Sequence, residues 1–336
     1  MADLKKNVLK AFANEAEEKI PVSFWRHFAK SEFTDAGIHP EIVDINVKGH
    51  ESYIKKVSPD FIKFMTDGYF IYPFLNVKDV RKLASLEHLK SLPKDHPWFE
   101  EQASLAKRQV KIANGRFAFY TIFSPLTILK WALIDHTKEP LTLADERLAD
   151  FYSEDPKALK KVLTIISTDL KELVRAVINA GIDGIYYSTQ SIQDSRTDNL
   201  DFFNNIQRVI DHDVIKTINK NADFNVLHIC GFDGATNHLE WYRDYQLQII
   251  NWSTHSDGYS LAEGKKLFGD RPVLGGFGIE KTDVLYSGSK TEIQAAAKEL
   301  VNEVGKKGVI IGADCTIQRD IPYEHLIWAI EAVHSV

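Results

Sequence analysis

The residues best equipped for chemistry in this chain are one histidine and two cysteines. His228 and Cys230 stand two apart at the end of the apolar run Asn225-Val-Leu-His-Ile-Cys-Gly231. Side chains two apart on a strand share a face, so this pair should project together from a strand end. Gly231 then permits a sharp turn away. The only other cysteine, Cys315, follows a second apolar run, Gly308-Val-Ile-Ile-Gly-Ala-Asp314. One imidazole and two thiolates delivered to one place make a zinc site with an open fourth position. A buried cysteine or a lone histidine is otherwise ordinary core material, so the prediction depends on the two strand ends meeting.

Parallel strands whose ends lie on one side would bring them together. Eight β-type runs can be read along the chain, at residues 20–26, 69–74, 116–123, 184–189, 226–230, 248–252, 271–276 and 309–311. Helical patterns lie between most of them. The clearest covers residues 156–180: Asp155 can cap it, Pro156 suits its first position, and apolar residues from Leu159 to Val177 repeat at three and four. Ser289 and Glu292 form a capping-box pattern ahead of another helix. Residues 59–65, 236–245 and 323–333 are also read as helical. Repeated βα units predict a parallel sheet, and eight of them predict a single α/β domain over residues 1–336, a (β/α)8 TIM-type barrel. The polar stretch 76–105 is read as an insertion over one face. No glycine-rich nucleotide-binding pattern follows any strand. Barrel sites gather at the C-terminal ends of strands. By that rule Arg26, His27, Asp67, Tyr187, Gln190, Trp252, Gly276 and Asp314 are candidates beside the three metal-type residues.

Composition excludes several classes. The 336 residues carry a formal net charge of -6, and the basic residues form no runs, so nucleic acid is not an expected partner. No apolar run approaches the roughly 18 residues a membrane span requires. The first residues lack the apolar core of a signal peptide. Two cysteines in so long a chain are no disulfide framework. A cytoplasmic protein with reduced thiols is the expectation.

Several stretches together resemble the uroporphyrinogen decarboxylase superfamily. They are Pro21-Val-Ser-Phe-Trp-Arg26, Ser124-Pro-Leu-Thr127, the helix ending in Ala180-Gly-Ile-Asp-Gly184, Ile250-Asn-Trp252, Leu274-Gly-Gly-Phe-Gly278 and Pro322-Tyr-Glu-His325. The likeness spans most of the chain and lies in the order and spacing of the motifs. It implies one of two chemistries. The decarboxylases of the superfamily use no metal and grip the carboxylates of a tetrapyrrole. Arg26 matches their first arginine, but Lys30 stands where a second is expected, Asp67 is a loose match to their aspartate, and Gly312-Ala-Asp-Cys315 replaces their Gly-His-Gly. The other branch moves a methyl group between a corrinoid, carried by a partner protein, and a thiol such as coenzyme M. Its zinc-binding His-x-Cys and later Cys match His228, Cys230 and Cys315 residue by residue.

Zinc-dependent methyl transfer to a small-molecule thiol or acidic substrate is therefore the favoured reading, with one Zn2+ per chain. Tetrapyrrole decarboxylation is the alternative, and a non-catalytic metal- or tetrapyrrole-binding barrel is a third. Asp67 and Asp314 are expected to be catalytic, Asp314 also as an occupant of the open metal position. Arg26, His27, Lys30, Tyr187, Gln190, Trp252 and Gly276 are expected around the substrate. Decarboxylases of the family form dimers, so a homodimer is an expectation carried by the resemblance.

Overall fold

The computed structural model describes residues 4–16 and 18–336. Among the described residues, seven strands form one parallel sheet in chain order: β1 Phe61–Phe64, β2 Phe117–Phe123, β3 Gly184–Thr189, β4 Val226–Ile229, β5 Ile249–Trp252, β6 Val273–Phe277 and β7 Val309–Ala313. Helices connect them, and the sheet curls into a TIM-barrel-like half-barrel. No membrane-length apolar helix occurs among the described residues.

The expected eighth strand is not formed among the described residues. The run at 20–26 makes one isolated parallel bridge, Val22 to Ile311. Pro21 has no N–H to give, and the Val22 N–H goes to the Asp60 carboxylate at 2.8 Å rather than to a neighbouring strand. The segment still touches both sheet edges. Ser23 N–H donates to Ile311 O on β7, and Ser23 Oγ donates to Phe61 O on β1. Residues 69–74 are not a strand either. Gly68, at φ 101°, turns the chain there, and Pro73 removes a ladder donor. The helix expected at 59–65 is instead β1, whose four residues are all buried. Only a short 3-10 turn, Leu239–Tyr242, forms within the helix expected at 236–245.

Elsewhere local chemistry acts as read. Asp155 accepts from the N–H groups of Lys157 and Ala158 and starts the helix Pro156–Asn179. Both halves of the Ser289–Glu292 capping box are made. In the 76–105 stretch, Leu83, Leu86, Leu89 and Leu92 are buried in the main core.

Strand alternation sorts the core into two sets. Leu227, Ile229, Tyr187, Ile250 and Trp252 face the surrounding helices. Phe61, Phe119, Tyr186, Val226, Ile249, Leu274 and Ile310 fill the interior of the curl. The helix Lys6–Phe12 plugs the N-terminal end, where Phe12 meets Phe61, Phe117 and Phe119 at ring-centroid distances of 5.7, 5.2 and 5.6 Å. Two residues further along the strands, the inward positions turn polar: Lys63, Thr121, Ser188, His228 and Asn251. That layer is the floor of the site.

Candidate metal centre

His228 and Cys230 emerge from the end of β4 on one side, as alternation requires. Cys315 arrives two residues beyond β7. Their ligand atoms all lie within 4.8 Å of one another. The two sulfurs are 3.8 Å apart, and Cys315 Sγ is 3.4 Å from His228 Nε2. A tetrahedral zinc with bonds of about 2.3 Å to sulfur and about 2.0 Å to nitrogen separates two sulfurs by about 3.8 Å and a sulfur from a nitrogen by about 3.5 Å. The donors therefore fit the ion in kind and in spacing, and three ligands leave a fourth position open. Asp314 is not part of this group.

The histidine tautomer is set by its far side. His228 Nδ1 lies 2.5 Å from Asn251 Oδ1. The Asn251 amide donates through Nδ2 to Leu274 O at 2.7 Å and to Ala313 O at 3.2 Å, so its oxygen must face the imidazole. Tyr186 O–H donates to that same oxygen at 2.7 Å. The proton of His228 thus sits on Nδ1, and Nε2 presents its lone pair to the cysteines. Such outer partners commonly orient a metal-binding histidine and raise its basicity.

Loop geometry places Cys230. Its carbonyl accepts from Gln190 Nε2 at 3.2 Å and Asn237 Nδ2 at 3.0 Å, and Gln190 also donates to Phe232 O. Gln190 is held in turn by Lys130, 2.7 Å away, which pairs with Asp145 at 2.7 Å in a buried cluster. Gly231 is required for close approach, not for a special dihedral, since φ is -90°. A Cβ there would come 2.6 Å from Ser253 Cβ.

The two thiols interact electrostatically. The hydrogen bond from Cys230, with help from His228, holds the Cys315 thiol well below the usual range. The same contact pushes Cys230 well above it. The two opposite shifts arise from one contact, so the acidity belongs to both sulfurs together.

Above the three ligands lies a cavity of about 310 Å³. Phe33, Phe70, Phe123 and Trp131 form an aromatic wall, and His27, Lys63, Tyr186, Gln318 and Arg319 supply polar edges. His27 is the one expected substrate contact that lines it. Its Nδ1 bonds Asp67 Oδ1 at 2.6 Å. Asp67 is fully buried and also accepts from the N–H groups of Phe28 and Ala29. Burial pushes this carboxyl up, but His27 and the two amides outweigh it and hold it down at about 2. Asp67 thus reaches the cavity through His27 rather than directly.

The remaining candidates lie elsewhere. Arg26 donates to Ile321 O at 2.8 Å and stacks on Tyr323 at 4.6 Å. Lys30 is exposed. Tyr187 points to the helical side and donates to Asp211 at 2.6 Å. Trp252 fills core, with its Nε1–H on Tyr259 O. Gly276, at φ 110°, sits against Leu300. Asp314 accepts from Thr254, His255 and the Gly276 N–H and lines no part of the cavity. Sequence reasoning missed Lys63 and Asn251 as site residues and took Tyr187 where the structure has Tyr186 facing the cavity. The available signal was a polar residue on the inward phase of an apolar strand: Lys63 within Phe61–Phe64 and Asn251 within Ile249–Trp252.

A family model for uroporphyrinogen decarboxylase matches residues 67–336. The chain belongs to the uroporphyrinogen decarboxylase family. Among solved structures it is similar to a methyltransferase from Methanosarcina mazei, at 16% identity and TM-score 0.73, covering 99% of this chain and 98% of that one. It is also similar to a B12-independent methionine synthase from Shewanella sp. in complex with selenomethionine, at 13% identity and TM-score 0.58, covering 94% and 97% of the two chains. A putative vitamin-B12-independent methionine synthase from Listeria monocytogenes matches at 16% identity and TM-score 0.56, covering 88% and 87%. At these identities the likeness establishes the shared fold. No curated protein matches the chain.

Proposed function

We propose that this member of the uroporphyrinogen decarboxylase family is a zinc-dependent methyltransferase that passes a methyl group from a corrinoid, or another methylated donor, to a small-molecule thiol. The observation that carries the reading is the His228, Cys230 and Cys315 cluster, with zinc-like spacings of 3.8 and 3.4 Å at the base of a cavity. When bound, zinc would lower the pKa of a thiol at the open position.

The chain's own residues do the rest. Asn251 keeps the Nδ1 proton of His228 in place, so Nε2 remains a donor to the ion. Gln190 and Asn237 hold the Cys230 carbonyl and with it the sulfur's position. Phe33, Phe70, Phe123 and Trp131 line one side of the cavity with apolar rings, which suit the carbon skeleton of a thiol. In the transfer, a sulfur electron pair forms the S–C bond as the Co–C bond breaks. That bond's pair stays on cobalt, which passes from Co(III) to Co(I), and the thiol proton goes to water.

Tetrapyrrole decarboxylation draws support from the family match but less from the site. Arg26 and Lys30, its expected carboxylate grips, do not line the cavity. Incubation of zinc-loaded protein with methylcobalamin and 2-mercaptoethanol tests the proposal. The expected result is thiol-dependent loss of the methylcobalamin spectrum with formation of the methyl thioether, abolished in Cys315→Ala. Turnover of uroporphyrinogen with no methyl transfer from any corrinoid would contradict it.

A further inference from the structure

Of the lysine and arginine side chains that line the cavity among the described residues, Arg319 is matched by a carboxylate and Lys63 is not. His27 bonds Asp67 at 2.6 Å, and Arg319 pairs with Glu32. Lys63 lines the same cavity at 4% exposure. Its ammonium meets Met65 Sδ at 2.9 Å and the ring faces of Tyr186 and Trp25 at 4.7 and 5.7 Å. None of these groups carries a formal negative charge. A lone buried ammonium is costly to keep, and burial pushes Lys63 down to about 8 against the pull of Cys315, Asp67 and Cys230. The Tyr186 ring, 5.2 Å from the His228 ring, places Lys63 within about 10 Å of the ligand cluster.

Charge counting shows what is missing. Two cysteine thiolates balance a divalent ion, and the neutral imidazole adds nothing. A deprotonated thiol entering the cavity brings one uncompensated negative charge. We propose that Lys63 is the counter-cation for a thiolate bound in this cavity and so sets the pH at which the site accepts a thiol. The inference rests on the metal-site reading above and names the form in which the substrate is held. The incoming thiol loses its proton to water, and Lys63 keeps its own. Arg26, which stacks on Tyr323 and does not line the cavity, is not needed for this.

The test uses cobalt(II)-substituted protein and 2-mercaptoethanol, whose tail is uncharged. Thiolate-to-cobalt absorption is followed against pH in wild type, Lys63→Met, Lys63→Gln and Lys63→Arg. Cys230, Cys315, Asp67, His27, Glu32 and Tyr186 surround Lys63 in every variant, so the difference isolates one charge. Unit charges about 10 Å apart at an effective dielectric of about 20 give a shift of roughly one pH unit. The midpoint is expected to rise by about that much in Lys63→Met and Lys63→Gln and to stay at the wild-type value in Lys63→Arg. Equal midpoints in all four proteins would overturn the proposal. So would loss of cobalt before thiol addition in both neutral variants, since Lys63 would then serve the resident ligands. A wild type that holds cobalt but gives no thiol-dependent band fails differently and overturns the thiol reading itself.

Discussion

Replacing Asn251 separates what holds the metal from what holds the fold. Asn251 Oδ1 is the acceptor for both His228 Nδ1–H, at 2.5 Å, and Tyr186 O–H, at 2.7 Å. Its Nδ2 donates to the carbonyls of Leu274 and Ala313. Leucine keeps the volume and removes all four bonds. Two buried donors would lose their acceptor, at about 1–3 kcal/mol each, so a stability loss of about 2–6 kcal/mol is expected. The histidine would also be free to place its proton on Nε2. Loss of such an outer partner typically lowers metal affinity 10- to 100-fold, or about 1.4–2.7 kcal/mol. Asn251→Asp divides the two effects. It keeps the one acceptor that serves both donors but offers no donor to the carbonyls, so stability should fall while zinc affinity stays within about threefold of wild type or rises. Urea denaturation measures the first quantity, and competition with a chromophoric chelator measures the second. Folded Asn251→Leu binding zinc as tightly as wild type would refute the reasoning about the tautomer.

Other perturbations have definite signs. Phe12→Ala removes the ring that packs on Phe61, Phe117 and Phe119 and should cost about 3–5 kcal/mol in urea, with zinc content unchanged. Gly264→Ala lies in the helix Leu261–Leu267, where alanine would ordinarily help by up to about 1 kcal/mol. Its Cβ would intrude on the Trp252 ring, so a loss of about 1–3 kcal/mol and a lower Tm are expected. Asp211 is buried, and burial pushes its carboxyl up to about 6 although Tyr187, Tyr245 and Thr189 bond to it. A carboxyl raised above its unfolded value stabilises the fold fully below pH about 4, and that contribution is lost as pH rises through about 6. In urea denaturation the stability of wild type relative to Asp211→Asn should therefore decline by up to about 3 kcal/mol across that window. A rise in wild-type stability relative to Asp211→Asn between pH 4 and 6 would reverse the assignment.

Much of the architecture was legible because the signals were local. Six of the seven strands coincide with apolar runs read directly, and Asp155, Ser289 and Glu292 cap the helices their types announce. The convergence of His228, Cys230 and Cys315 followed from period-two geometry and the rule that barrel sites lie at strand ends. Failures cluster where a residue is kept for the site or the edge. β1, expected as helix, carries Lys63 within an otherwise apolar tetrapeptide, and nothing in the sequence says that this lysine is buried. The run at 20–26 has strand-like composition, but proline and the Asp60 carboxylate take it out of the ladder. Arg26 and Asp314 stand at the expected strand ends, yet both are spent on neighbours: Arg26 on Tyr323 and Ile321, Asp314 on Thr254 and His255. Which side chain at a strand end faces the cavity depends on loop packing, which spacing does not encode. Tyr187 and Trp252 fall on the outer phase, as alternation from Tyr186 and Asn251 requires.

The central claim is that three side chains hold one zinc ion. Metal content of the purified protein, measured by inductively coupled plasma mass spectrometry beside Cys230→Ala and Cys315→Ala, tests it most directly. The account predicts about one zinc per chain in wild type and its loss in both folded variants. Absence of zinc from reduced wild-type protein, even after it is supplied, would contradict the account and return both cysteines to the core.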